Sequence, residues 1–239
     1  MYKIGIDISL SSTAITIEKD DESENTQHIL SYLNKNKVDK WAKKISEIEN
    51  INIERINYDY DKDNYSDSEI QKLISYDNIS DKIINDIKNI CKEENCCIRI
   101  EGYSYSKNTN SINDIITLST LIRLKLLKEL NCTIKIIAPN TLKIETCRLA
   151  YGVTEIKRFH IKTGKPLESH FKIINDDGVA GGSFTKFEIY KSIIEKNIDT
   201  IFLDFLKDNK EVLNMKKIPS PIDDINDSIL LSKINIKKC

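Results

Sequence analysis

Three short segments, far apart in the chain, place carboxylates where apolar side chains dominate. Lys3-Ile-Gly-Ile-Asp7 and Cys97-Ile-Arg-Ile-Glu101 each end a strand-like run on an acid, and Asp224-Ile-Asn-Asp227 leads into Ser228-Ile-Leu-Leu. Burying an unpaired charge costs several kcal/mol, so acids placed this way call for a shared counter-charge. A divalent cation is the simplest one. Mg²⁺ takes hard oxygen ligands and is usually held by a few carboxylates together with water and substrate phosphate. A pair of such ions ~3.5–4 Å apart can activate a water and stabilise a leaving oxygen. Lysines beside them would neutralise charge building on a phosphoryl centre. The chemistry these residues could do is therefore metal-assisted phosphodiester hydrolysis. Each acid also has a plainer reading. Asp7 could initiate a turn at a strand end, and Glu101 could be a surface acid. Asp224 and Asp227 share one side of a helix and could simply answer its N-terminal dipole.

The elements that must position these acids follow from periodicity and punctuation. Ile4 and Ile6 mark a first strand ending at Asp7, and a Ser9–Thr13 turn leads into Ala14-Ile-Thr-Ile17. Further strands are expected at 28–33, 51–56, 96–100 and 133–138, where apolar residues run together or alternate. A short charged helix is expected within 35–49, carrying Trp41, Ile45 and Ile48 on one face. Apolar positions at helical spacing predict a helix over 68–91, interrupted near Asp77-Asn78, and another over 111–130. Shorter helices are expected at 140–149, 184–196, 198–206 and 222–233. Strands first, then alternating helix and strand, indicate an α/β fold with a mixed sheet.

The bulk properties bound the function more loosely. The 239 residues are 40% hydrophobic and 31% charged, with a formal net charge of −1. That balance gives no global positive field for nucleic acid, so any such partner must meet local basic patches. No run of 18 apolar residues occurs, so no transmembrane helix is expected, and the N-terminus does not read as a secretory signal. The six cysteines lack CxxC spacing and are expected as buried or free thiols in a reducing compartment. Zinc binding through Cys147, His160 and His170 fits no usual spacing. An intracellular, soluble protein is the expectation, in cytoplasm or nucleus.

Taken together, Ile4-Gly-Ile-Asp7 with its Ser-rich turn, Ile100-Glu-Gly-Tyr103 and the terminal Asp-x-x-Asp-Ser-x-Leu resemble the RuvC-like Holliday junction resolvases of the ribonuclease H-like superfamily. Ala138-Pro-Asn-Thr-Leu-Lys143 is similar to that family's Pro-x-x-[Leu/Val]-Lys segment, and Gly182-Ser-Phe-Thr-Lys186-Phe-Glu to the helix start that follows it. The Ile-Glu-Gly-Tyr motif is most similar to that of viral and phage members. The resemblance covers about two thirds of the chain. It implies an α/β three-layer domain over 1–239 with a mixed five-stranded central sheet flanked by helices. It also implies Mg²⁺ dependence, with Mn²⁺ able to substitute, and a homodimer that cuts two strands of a four-way DNA junction. On this resemblance Asp7, Glu101, Asp224 and Asp227 would be metal ligands, with Asp223 the rival to Asp224. Lys143 and Lys186 would contact the scissile phosphate or the adjacent backbone.

The chain departs from the family pattern in several places. Residues 148–182 hold five of the seven glycines and read as an inserted loop or hairpin, and 19–67 as an expanded hairpin and helix region. Lys157, Arg158, Lys162 and Lys165 make the insertion basic enough to touch DNA, or it is a solvated surface hairpin. Relatives carry an aromatic wedge after the second acid; Tyr103 and Tyr105 stand near that place without matching it. Sugar kinases and actin-like ATPases share the superfamily, but Ser9 stands where their phosphate hairpin needs Gly. Two other readings stay open: a nuclease acting on flaps, other branched DNA or RNA–DNA hybrids, and a noncatalytic nucleic-acid-binding protein that keeps the fold.

Overall fold

The computed structural model describes residues 1–19, 27–34, 40–57, 63–103, 109–151, 163 and 185–234. Its centre is one mixed sheet of β1 (Tyr2–Asp7), β2 (Ser12–Lys19), β3 (Gln27–Asn34), β4 (Ile51–Ile56), β5 (Cys96–Glu101) and β6 (Cys132–Ile137), in the order β4-β3-β2-β1-β5-β6. The first three strands form an antiparallel meander, and β5 joins β1 in parallel with Ile6 beside Ile100. β6 continues in parallel beyond β5. The sheet thus has six strands where the family resemblance implied five. The additional one is β4, whose Ile51–Ile56 run pairs in parallel with the outer edge of β3.

Helices cover both faces, and the strand alternation decides which side chain meets which layer. Tyr2, Ile4, Ile6, Ile15, Ile17, Ile98 and Ile100 point to one side and pack on α2 (Tyr65–Cys91) and α3 (Thr109–Glu129). α2 and α3 run alongside one another, tied by Lys72–Asp114, Lys125–Asp77 and Lys88–Glu129 ion pairs. α2 begins at Asn64, whose side chain accepts from the Ser66 and Asp67 amides. It continues through Asp77 without the expected interruption, because neither Gly nor Pro breaks it and Asp77 pairs with Lys125 at 2.8 Å.

The opposite face is covered by α1 (Lys40–Ile45), α4 (Pro139–Tyr151), α5 (Lys186–Glu195), α6 (Leu203–Asp208) and α7 (Ile222–Lys233). α4 extends through the buried Ala150 to Tyr151, so the expected insertion begins a few residues later than its composition suggests. The rest of that insertion lies outside the described residues. The helix expected over 198–206 starts later, at Leu203, because the buried Asp199 carboxylate accepts from the Phe202 amide and from Gln27 and holds a turn there.

α7 passes directly over β1 because position 5 has no side chain. A Cβ built on Gly5 would fall on the Ser228 carbonyl oxygen, 2.6 Å from Ser232 N and 2.8 Å from Leu231 Cβ. Thr16 and Ser228 hydroxyls meet at 2.8 Å in the same buried layer. Among the described residues, Cys91, Cys96, Cys132 and Cys147 are free thiols. Cys97 is disulfide-bonded, against the expectation of thiols throughout. No helix among the described residues is long and apolar enough to cross a membrane.

Candidate metal centre

Asp7 and Glu101 are the last residues of neighbouring parallel strands, β1 and β5. Side chains two apart in a strand share a face, so Asp7 points the same way as Gly5 and meets α7. Asp227, in the first half of α7, descends into the same space. One carboxylate oxygen from each of Asp7, Glu101 and Asp227 lies within 4.8 Å of the others. Asp7 is 8% exposed and Asp227 1%. Asp224, one turn earlier, accepts a 2.6 Å hydrogen bond from Ser220 and stands beside this triad. Asp223 also lines the site; it faces Lys186, whereas Asp224 faces Ser220.

Lys186 is the first residue of α5, and its helix start is fixed by a capping box. Thr185 Oγ1 accepts from the Glu188 amide at 3.2 Å, while Glu188 Oε2 accepts from the Thr185 amide. The ammonium so placed pairs with Asp227 and lies 3.3 Å from Asp223. The two lysines singled out in the sequence lie in different places. Lys186 lines the cleft, whereas Lys143 is half-buried on α4 and is not among the residues that line it.

The cleft has a volume of about 300 Å³. Its lining includes five carboxylates, Asp7, Glu101, Asp223, Asp224 and Asp227, and one ammonium, Lys186. Ile8, Ile112, Ile115, Ser119 and Tyr103 also line it. Tyr103 is held by Arg123, which donates to its hydroxyl at 3.2 Å and stacks 4.7 Å from its ring. Tyr105, Lys157, Arg158, Lys162 and Lys165 lie outside the described residues.

The electrostatics record the crowding. Burial pushes the Asp7 carboxyl well above the usual range, and the charges of Glu101, Asp227 and Asp224 add to the effect. Burial raises Asp227 to about 7 despite the opposing Lys186. Asp224 is raised to about 6, mainly by burial, with the Ser220 hydrogen bond working against it. Lys186 is raised as well: burial alone would lower it, but Asp227 and Asp223 outweigh that cost. One Asp227 oxygen, Oδ1, is buried without a hydrogen-bond partner. An orphaned anionic oxygen beside two further carboxylates is a donor set suited to a hard cation.

The sign of the pH dependence follows. Between the unfolded carboxylate pKa near 4 and the raised folded values, the folded chain keeps protons that the unfolded chain has released. Stability must then fall as pH rises through that window. Lys186 titrates far above it and adds no slope there. In EDTA the melting temperature is expected to be several degrees lower at about pH 8 than at about pH 5. Mg²⁺ should restore it at the higher pH and do little at the lower one, where protons compete for the same oxygens. Scanning fluorimetry checks this, and a metal-free melting temperature that rises from pH 5 to 8 would contradict it.

The signals missed in the sequence are glycines and partners of the acids. Outside residues 148–182 the only glycines are Gly5 and Gly102, and each stands beside a triad carboxylate. A Cβ on Gly102 would approach the Ile137 carbonyl oxygen to 3.3 Å, so the chain turns closely past β6 just after Glu101.

The mixed sheet in this order, with helices on both faces, makes the chain an α/β fold. No protein-family model and no curated protein matches the chain. Among solved structures it is similar to Thermus thermophilus RuvC, at 9% identity and a TM-score of 0.43, covering 97% of this chain and 91% of that one. A structure of T. thermophilus RuvC in complex with a Holliday junction substrate gives 8% identity and a TM-score of 0.44, covering 97% and 90%. The yeast mitochondrial Holliday junction resolvase Ydc2 gives 11% and 0.45, covering 96% and 75%.

Proposed function

We propose that the protein is a divalent-metal-dependent endonuclease that hydrolyses DNA phosphodiester bonds at four-way junctions. The observation that carries this reading is the convergence of Asp7, Glu101 and Asp227 within 4.8 Å, beside Lys186, at the C-terminal edge of parallel strands. Asp7, Glu101 and Asp227 would hold Mg²⁺ or Mn²⁺, with Asp224 completing the acidic wall. A divalent ion in such a site supplies Lewis-acid polarisation of a phosphoryl oxygen and lowers the pKa of a bound water.

The chain's own residues supply the rest. Lys186 already faces the carboxylates and, once a cation shares their charge, its ammonium is free to meet a phosphate oxygen that gains negative charge. Ile8, Ile112 and Ile115 give the cleft apolar lining, and reducing water there would strengthen charge interactions across it. Lys143 on α4 is a proposed contact to the scissile phosphate or the adjacent DNA backbone; Lys157, Arg158, Lys162 and Lys165 are proposed DNA contacts, and Tyr103 and Tyr105 contacts near the branch. A homodimer would bring two clefts to one junction; exposed Leu124 and Leu127 on α3 and Ile70 and Leu73 on α2 leave apolar surface for one. Membership of the viral or phage branch rests on the Ile100-Glu-Gly-Tyr103 motif. The motifs shared with junction resolvases make a four-way junction the first substrate to try, ahead of flaps and hybrids.

Incubation of purified protein with labelled four-way junction, flap, RNA–DNA hybrid and linear duplex, in Mg²⁺ or EDTA, tests the proposal. Paired symmetric nicks on the junction, absent in EDTA, are the expected result. Preferential cutting of flaps or hybrids would move the substrate, and binding of all four without cleavage in any metal would leave a noncatalytic protein.

A further inference from the structure

Arg99 lies in the middle of β5, two residues before Glu101 and on the same face, in register with Gly5 of β1. It is 6% exposed. Its Nη1 donates to the carbonyls of Leu231 at 3.2 Å and Ser232 at 2.8 Å, in the last turn of α7. Those carbonyls belong to the group that a helix end leaves without intrahelical donors, and a cation there also answers the negative end of the helix dipole. Glu18, the carboxylate whose charge favours the guanidinium, is itself paired with Lys233 at 2.6 Å. Arg99 Nε has no hydrogen-bond partner. A buried guanidinium spent on two backbone carbonyls is a costly way to fill a sheet position, and an apolar residue would pack there at no such cost.

Position accounts for it. Leu231 follows Asp227 by one helical turn, on the same side of α7. Gly5 admits the helix to the sheet, and Arg99 fixes how far along and how close it sits. We propose that Arg99 is a positioning residue for the acid cluster: from the strand that carries Glu101 it grips the helix that carries Asp224 and Asp227, and so sets the spacing between the two carboxylate sources. The consequence for cation binding rests on the metal reading above; the grip on α7 does not.

Hydrogen exchange on R99M and R99K, combined with Mn²⁺ titration followed by electron paramagnetic resonance, separates the two. In R99M the amides of 225–232 should exchange roughly tenfold faster or more while those of α2 keep their wild-type rates, as local opening of one element requires. Mn²⁺ affinity should fall roughly tenfold, the size usual for a residue that orients ligands. R99K keeps one donor and should lie between wild type and R99M in both. Unchanged exchange in α7, or equal acceleration of α7 and α2, would overturn the positioning role and leave Arg99 a general stabiliser. If R99M does not fold, R99K carries the same test, with selective acceleration required and uniform acceleration contradicting it. A wild-type protein that binds no Mn²⁺ would end the metal reading, while the exchange pattern still decides the grip.

Discussion

Asp7→Asn is expected to remove most of the cleavage activity while making the metal-free protein more stable. Asp7 sits in a buried cluster where Glu101, Asp227 and Asp224 all oppose its ionisation. Asparagine keeps the shape and removes the charge, so the repulsion that an ionised Asp7 meets in the folded state is relieved. The melting temperature in EDTA should therefore rise at high pH, and the rise should shrink as pH falls and the wild-type carboxyl takes up its proton. The same change removes an anionic oxygen from the one place where three converge, and a loss of roughly a hundred- to a thousandfold in turnover follows for a group that acts on transition-state charge. Opposite signs for stability and activity are the signature of a functional site held against its own electrostatics. A variant that lost stability and activity together would instead make Asp7 a structural acid. Melting curves and junction cleavage on one preparation check both halves.

The second large effect is expected at a residue with no functional group. Gly5→Ala sets a methyl against the Ser228 carbonyl and within 2.8 Å of two further α7 atoms, two of the three being backbone. Backbone of a packed helix cannot rotate out of the way, so α7 must lift from β1. Overpacking of this kind costs about 3 kcal/mol or more, which for a chain of this size is a fall of roughly 6–12 °C in melting temperature. Lifting α7 also draws Asp227 away from Asp7 and Glu101, so Mn²⁺ affinity and cleavage should fall in the fraction that stays folded at low temperature. Circular dichroism melts and Mn²⁺ titration read the two losses. A melting temperature within a degree or two of wild type would mean that α7 does not lie as close to β1 as described.

These two positions show what the sequence displays and what it hides. Asp7 and Glu101 were legible because each interrupts an apolar alternation, and a strand end is visible wherever Ile4-x-Ile6 or Ile98-x-Ile100 stops. The terminal helix was legible over its whole length, Ile222–Lys233, since its apolar residues recur at helical spacing and proline precedes it. Lys186 was found by resemblance, and the Thr185-x-x-Glu188 cap that places it is a local pattern. Gly5 and Arg99 were hidden for a shared reason. Their value depends on a helix more than two hundred residues after Gly5 and more than a hundred after Arg99, and nothing local reports that it crosses β1. In the linear chain Arg99 was one charge inside the apolar run Cys97–Ile100. Only under the last turn of α7 does it become a donor to two orphaned carbonyls. The separation of Asp223 from Asp224 was likewise out of reach, because both lie in the first turn of α7 and only the positions of Lys186 and Ser220 distinguish them.

Joint binding of a divalent cation by Asp7, Glu101 and Asp227, as proposed, can be read from crystals soaked in Mn²⁺ and measured at a wavelength where manganese scatters anomalously. A strong anomalous peak bonded to oxygens of all three carboxylates is expected in wild type, and its loss in Asp227→Asn. An ordered cleft with no peak at saturating Mn²⁺, and with Lys186 still closed on Asp227, would contradict it.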